Sequence, residues 1–329
     1  MNSAVVFSVT ITLAVAYVNG MTDAPNAIVS CVTTKCISLK KAVIIAAVSD
    51  LAGSLFFAFF DGKVAKTIIE LASFKSDVSL LGLSAAMLSV VIWAVSAWAF
   101  GIPTSESHAL ISALTGAGIA LNSGIEMINP VVWKKIIFGL VVSVFLGFLG
   151  GYLISKITFV LFKKENKDKI FTHSQIISSA LMSFMHGAQD SQKFTGILML
   201  IFTAAGQFDK DNVPLWLFLL SPLFIAAGTA SGGEKIIRSV GSEMIKMEKD
   251  QGFSSDIAGA VCLLLSTLMG MPVSTTHTKT SAVLGAGVAK SIRSVNLKVA
   301  GDIVIAWIVT FPSCLLLGWF IAKLFLLLA

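Results

Sequence analysis

Apolar residues run along this chain in long unbroken blocks. They do not follow the alternation of a half-buried strand or the single stripe of a soluble helix. Leu80–Phe100, Trp133–Phe162, Leu215–Ala230, Asp256–Met269 with its flanks, and Ile303–Ala329 are apolar on all faces. A helix needs roughly 20 such residues to cross a bilayer. The pattern predicts an all-α polytopic membrane protein of about 10–12 membrane segments, some of them half-spans. Membrane β-barrels are set aside, because their strands alternate polar and apolar positions. Met1–Val18 is apolar, has no basic stretch ahead of it and runs straight into a polar motif. It reads as a first membrane segment and not as a cleaved signal.

Composition strengthens this reading. Hydrophobic residues make up 56% of the 329, and charged residues 13%, against about a quarter in soluble domains. A soluble fold this apolar would expose more apolar surface than a monomer tolerates. Hence the chain is expected as a multi-pass protein of the cell membrane, with lipid as its surroundings. The net charge of +6 is scattered over connecting segments, without a basic stripe interleaved with aromatics. It fits anionic headgroups and excludes a nucleic-acid surface. Cys31, Cys36, Cys262 and Cys314 lack metal-ligand spacing and read as packing residues.

The chain falls into two halves around Lys163-Lys164-Glu165-Asn166-Lys167-Asp168-Lys169. Residues 1–162 form a first membrane repeat, 163–170 a short charged linker on the cytoplasmic side, and 171–329 a second repeat. Asn19–Asn26 aligns with His186–Lys193, so that Asp190 follows Asp23 by 167 residues. Pro103–His108 aligns with Pro272–His277 at an offset of 169, and each is followed by a small-residue run, Gly116–Gly118 and Gly285–Gly287. Gly62–Ile68 aligns more loosely with Glu234–Val240. Duplication of this kind marks secondary transporters.

The duplicated blocks carry the chemistry. A carboxylate within hydrocarbon is costly unless it faces protein or water, so Asp23 and Asp190 are the leading candidates. Gly20 and Pro25 predict a helix broken near Asp23, which is tolerated only around a cavity or in the protein interior. The second block has no proline; Lys193 replaces Asn26, and Gln189 replaces Thr22. In the other pair of blocks, proline suits a first helical turn and serine or threonine can cap it. Two such helix starts, with free N–H groups and positive dipole ends, would make a pocket for one oxyanion. The adjacent aspartates would hold a cation or a proton. Lys193 is read either as an anion contact or as the partner of Asp190 three residues earlier. Glu106 is read as a first-turn acid complementing the dipole, or as a cation ligand. His108 and His277 are read as hydrogen-bonding residues at their helix starts, with titration as the alternative. Asp50, in an apolar stretch, is expected to pair with a lysine if it is not functional. Gly232–Lys249 reads as an amphipathic interfacial helix.

These blocks resemble those of the inorganic phosphate transporter family. Gly20–Ala27, His186–Gln192 and Gly270–His277 follow its duplicated Gly-x-x-Asp-x-x-Asn-Ala and Pro-x-Ser-x-x-His signatures, and Lys193 is similar to its bacterial branch. The resemblance implies two inverted-topology repeats with broken helices or helical hairpins at the site, a cytoplasmic linker and both termini outside. It implies symport of phosphate with sodium or protons. Asp23, Asn26 and Asp190 fall on signature positions, and Thr104, Ser105, Ser274 and Thr275 would line the phosphate site. The full expected anion set adds Asn26, Gln189 and Lys193. The cation set is Asp23, Asp190, Asn26 and Glu106, with sodium possible at the two aspartates. Gln189 stands where the family usually has asparagine, and Glu106 where serine or threonine is common. A sulfate or other oxyanion permease of the same fold is the closest alternative, and a membrane-embedded enzyme using His108, His277 and the aspartates a remote one. No Walker loop or H-E-x-x-H pattern occurs. The expectation is therefore a transporter with no cofactor beyond its coupling ion, with a homodimer compatible.

Overall fold

The computed structural model describes the chain apart from residues 1, 73, 75–77, 101–103, 122–123, 125–127, 163–166, 208–212, 232, 234–236, 238–243 and 329, and the side chain of Lys167. The described residues form twelve α-helices. In the first half these are α1 (Ser3–Thr22), α2 (Pro25–Thr33), α3 (Leu39–Phe60), α4 (Lys63–Leu71), α5 (Ser79–Ala99), α6 (Glu106–Leu121) and α7 (Pro130–Leu161). The second half has α8 (Lys167–Ala204), α9 (Leu217–Ala230), α10 (Lys249–Leu268), α11 (Thr275–Lys290) and α12 (Leu297–Leu328).

Among the described residues, six stretches are long and apolar enough to cross a membrane: Ser3–Thr33, Leu39–Phe60, Ser79–Ala99, Pro130–Leu161, Lys249–Leu268 and Leu297–Leu328. The helices α4, α6, α9 and α11 are shorter and match the expected half-spans. The 38-residue α8 is long enough to span but polar along its middle, where His186, Gln189, Asp190, Gln192 and Lys193 are all buried. Its stretch from His186 to Leu198 lies inside, while α3, α7 and α12 turn large side chains such as Val48, Val141 and Ile308 outward. An apolar exterior around a polar, buried centre is how a chain satisfies lipid outside and function inside. The protein is a multi-pass membrane protein.

Glycines set the helix spacing, and they do so in mirrored pairs. A β-carbon on Gly20 of α1 would lie 2.0 Å from the Ile225 carbonyl oxygen of α9; one on Gly187 of α8 would lie 2.1 Å from that of Asp50 in α3. Gly53 meets the Phe184 carbonyl as Gly228 meets that of Tyr17. The same holds for Gly116 with Leu315 and Gly285 with Phe148, and for Gly318 with Ala113 and Gly151 with Ala282. Each contact has its counterpart with the halves exchanged, at the offsets of 167 and 169 read from the sequence and, between α3 and α9, at a further offset of 175. Small residues permit this approach of backbones where lipid supplies no hydrophobic drive between helices.

Several expectations fail in detail. The helix breaks at Asp23 as expected, between α1 and α2, with Pro25 opening α2. The second block does not break: without a proline, α8 runs through Asp190 uninterrupted. Pro272 does not sit in a first helical turn but ahead of Ser274, which caps α11; Pro103 lies outside the described residues. Of the linker, residues 163–166 lie outside the described residues and 167–170 form the first turn of α8. The expected interfacial helix over 232–249 falls largely outside the described residues. Ile237 is helical and buried, but residues 244–248 are not helical: Met244 and Ile245 are buried and Ile245 bridges to Val295, with α10 beginning only at Lys249. Cys31, Cys262 and Cys314 are buried as expected, but Cys36 lies half-buried in the turn after α2. There hydrogen bonding to the Cys31 thiol, aided by Thr34, outweighs partial burial and holds its thiol down at about 7.

Candidate functional site

The breaks and helix starts of the two halves converge on one buried polar centre. Asn19, on the last turn of α1, bridges the two aspartates: its Nδ2 donates to Asp23 Oδ2 at 3.3 Å and to Asp190 Oδ2 at 3.0 Å. Asp23 Oδ1 accepts from the Thr276 hydroxyl at 2.6 Å. Asn26, in the first turn of α2, donates to the Asp23 carbonyl and to Thr276 Oγ1, each at 3.1 Å. Asn26 therefore does lie against Asp23, across the break and not along one helical face. Thr22 donates to Glu106 Oε1, which brings the first turn of α6 to the same place.

On the other side Lys193 Nζ lies 2.7 Å from Asp190 Oδ1 and 2.9 Å from the Val273 carbonyl, and also donates to Ser107 Oγ. Of its two sequence readings, the structure displays the pairing with Asp190. Ser107 in turn donates to the Val273 carbonyl at 3.1 Å. The starts of α6 and α11 are thus joined. Both caps form: Ser105 Oγ accepts from the His108 amide at 3.2 Å and Ser274 Oγ from the His277 amide at 3.1 Å. Each cap satisfies a donor that the first turn leaves without a helical partner.

The imidazoles behave differently from the expectation. His108 and His277 meet edge to face with ring centres 4.1 Å apart, His277 stacks on Trp307 at 3.9 Å and His108 lies on Phe311 at 4.4 Å. Neither ring nitrogen of His108, nor Nε2 of His277, has a hydrogen-bond partner. The bond at each helix start is made by the backbone amide and not by the ring. Asp50 also departs from its reading: His186 Nδ1 lies 2.8 Å from Oδ1, and Thr229 donates to Oδ2 at 2.6 Å, so its partner is histidine and not lysine. Gln189 is spent on packing contacts, donating to the Met271 carbonyl at 2.8 Å and accepting from Thr267. Thr104 is buried just ahead of α6. The centre is sealed: Asp23 is 2% exposed and Asp190 0%.

Two kinds of residue escape the sequence reading. Asn19, Thr22, Ser107 and Thr276 complete the centre, yet hydroxyls and amides do not stand out in an apolar run as carboxylates do. Asn19 carried a usable signal: it precedes Asp23 by four residues, one turn of helix, and aligns with His186, which precedes Asp190 by four. Several polar atoms of the centre are buried without a partner, among them Asn19 Oδ1, Asn26 Oδ1 and Thr275 Oγ1. Native interiors rarely leave such atoms unpaired, so this grouping points to a polar ligand.

A sequence profile of the phosphate transporter family matches the chain twice, over residues 19–169 and 160–318. A probable low-affinity inorganic phosphate transporter of Bacillus subtilis (strain 168) is 34% identical over 310 residues, spanning 93% of this chain and 92% of that protein. A protein of the same description from Rhizobium meliloti (strain 1021) is 34% identical over 309 residues, 92% of this chain and 90% of its own length. Among solved structures, one titled the sodium-dependent phosphate transporter superposes with a TM-score of 0.86 over 99% of this chain and all of that one, at 21% identity. That likeness concerns the fold. With a profile matched across both halves and relatives at this identity over most of its length, the chain belongs to the phosphate transporter family, whose members are transport proteins and not enzymes.

Proposed function

We propose that this protein is a symporter that carries inorganic phosphate across the cell membrane, driven by sodium or protons, with its site between two inverted repeats. The observation that carries the reading is the joining of Asp23 and Asp190 by Asn19, beside two capped helix starts that meet across the halves. The names of the relatives supply the substrate. Asp23, Glu106 and Asn26 hold the coupling cation, with Asp190 completing the charge. Thr104, Ser105, Ser274 and Thr275 offer the anion hydroxyls and helix-start amides. Gln189 positions the approach to α11 through Met271.

Carboxylates this close favour phosphate over sulfate. Near neutral pH phosphate keeps a proton that can be donated to a carboxylate oxygen such as Glu106 Oε2, and sulfate keeps none. A sealed centre fits one stage of alternating access, in which part of each repeat rocks around a fixed site.

The test is uptake of radiolabelled phosphate into liposomes holding the purified protein. A sodium gradient and a proton gradient are imposed in turn, with excess sulfate as competitor. Uptake driven by one gradient and indifferent to sulfate is expected, and Asp23→Asn brings that coupled uptake to background. Gradient-driven uptake by Asp23→Asn equal to the wild type would remove the cation site from Asp23.

A further inference from the structure

We propose that the Lys193 ammonium is a resident cation: it occupies permanently, at the Asp190 side of the centre, the place that a mobile coupling cation takes at the Asp23 side. The inference rests on the symport reading above and sharpens it by giving the two aspartates unequal roles.

The argument comes from comparing the two sides position by position. Asp190 corresponds to Asp23 and Lys193 to Asn26 at one offset; Ser107 corresponds to Thr276 and Val273 to Thr104 at the other. On the Asp190 side, a positive nitrogen lies among a carboxylate oxygen, a backbone carbonyl oxygen and a hydroxyl oxygen. Those are the hard oxygen donors that a small monovalent cation uses. An ammonium has three N–H donors and no acceptor, so three oxygens exhaust it. Lys193 is 1% exposed and has no N–H left for an anion in this arrangement.

On the Asp23 side the corresponding carboxylate and hydroxyl are present without an ammonium between them. There the Thr276 hydroxyl turns onto the carboxylate itself, at 2.6 Å. Asn26, in the place of the lysine, is 2% exposed and leaves its Oδ1 without a partner. An amide oxygen can ligate a cation; an ammonium replaces one. The first side is built to receive a cation that comes and goes, and the second carries its own. Because a tethered cation does not travel with the substrate, the cycle moves one positive charge fewer per phosphate than it would with asparagine at both positions.

Lys193→Asn restores the pattern of the first half and tests this directly. Charge moved per phosphate is read in proteoliposomes from the membrane potential that just halts phosphate uptake at a fixed phosphate gradient. The ratio in Lys193→Asn is expected to exceed that of the wild type by about one elementary charge, whether sodium or a proton fills the place. Lys193→Arg is expected to keep the wild-type ratio. An unchanged ratio in active Lys193→Asn overturns the proposal, and an unchanged ratio with a raised half-saturation for phosphate makes Lys193 an anion ligand instead. If Lys193→Asn transports nothing, its melting temperature in detergent is compared with the wild type across sodium concentration and across pH. Stabilisation by sodium or by acid beyond the wild type supports the proposal. An equal response, or no folded protein under any of these conditions, overturns it. Absence of phosphate uptake by the wild type defeats the symport reading, while the melting comparison still reads the lysine.

Discussion

Residue by residue, the two halves are not copies, and their differences are informative. Besides Lys193, the second half holds a fully buried ion pair, Lys279 with Asp256. Ser30 donates to Asp256 Oδ1 at 2.6 Å, and Ser178 and Ser179 donate to Oδ2 at 2.9 and 2.8 Å. At the matching positions the first half has Leu110 and Met87, both fully buried. Breaking a buried pair by removing one partner strands the other charge and costs about 3–5 kcal/mol, whereas replacing both by apolar groups is often neutral. Lys279→Leu is therefore expected to lower the melting temperature sharply. Asp256→Met with Lys279→Leu, which copies the first half, recovers most of the loss. A double variant no more stable than the single one would show that the serines, and not the charge, set the cost. The sequence disclosed Asp23, Asn26, Asp190 and Lys193 because charge and duplication coincide there. Lys279 and Asp256 passed unnoticed: neither has a charged counterpart in the first half, so the comparison that exposed the others was blind to them.

Many helices were legible in the sequence as apolar blocks, because a bilayer fixes both length and polarity; α10 and α12 begin ahead of the blocks at Asp256 and Ile303, and α8, polar along its middle, gave no block. What the blocks do not encode is which helix touches which. That information resides in glycines, and it appears only once their partners are known. Gly187→Ala is expected to destabilise the protein by at least the ~1–3 kcal/mol of an overpacked core. The new methyl would fall 2.1 Å from the Asp50 carbonyl oxygen, pushing α8 from α3 and straining the His186–Asp50 contact. Gly20→Ala, its mirror, does the same between α1 and α9. Gly62→Ala has nothing within 4 Å of the added carbon and serves as the control, with an expected change within about 0.5 kcal/mol. Thermal melting in detergent reads all three; a Gly187→Ala protein as stable as Gly62→Ala would mean that the helices part without cost. The break at Asp23 was legible through Pro25; the second block has no proline, and α8 runs on unbroken.

Across the whole molecule, the glycine-mediated close approaches of helix backbones join one half to the other: α1 with α9, α3 with α8, α6 with α12, and α7 with α11. The arrangement is reciprocal: α1 meets α9 as α8 meets α3, and α6 meets α12 as α11 meets α7. Residues 1–162 and 163–329, produced together as separate polypeptides, are expected to assemble, so that a tag on the first half retrieves the second from detergent extracts. Recovery of the tagged half alone would contradict the reciprocal packing.

The same reciprocity bears on how the protein comes to be made. The glycine face of α1 awaits the Ile225 carbonyl, and that of α7 awaits Ala282. At roughly 5–20 residues per second on the ribosome, those partners emerge on the order of tens of seconds after α1 itself. Throughout that interval a nascent chain holds the aspartate of its broken helix in the membrane without the Thr276 hydroxyl that later binds it. The first half must be sheltered, by the insertion machinery or by water at the membrane surface, until the ribosome has delivered the second.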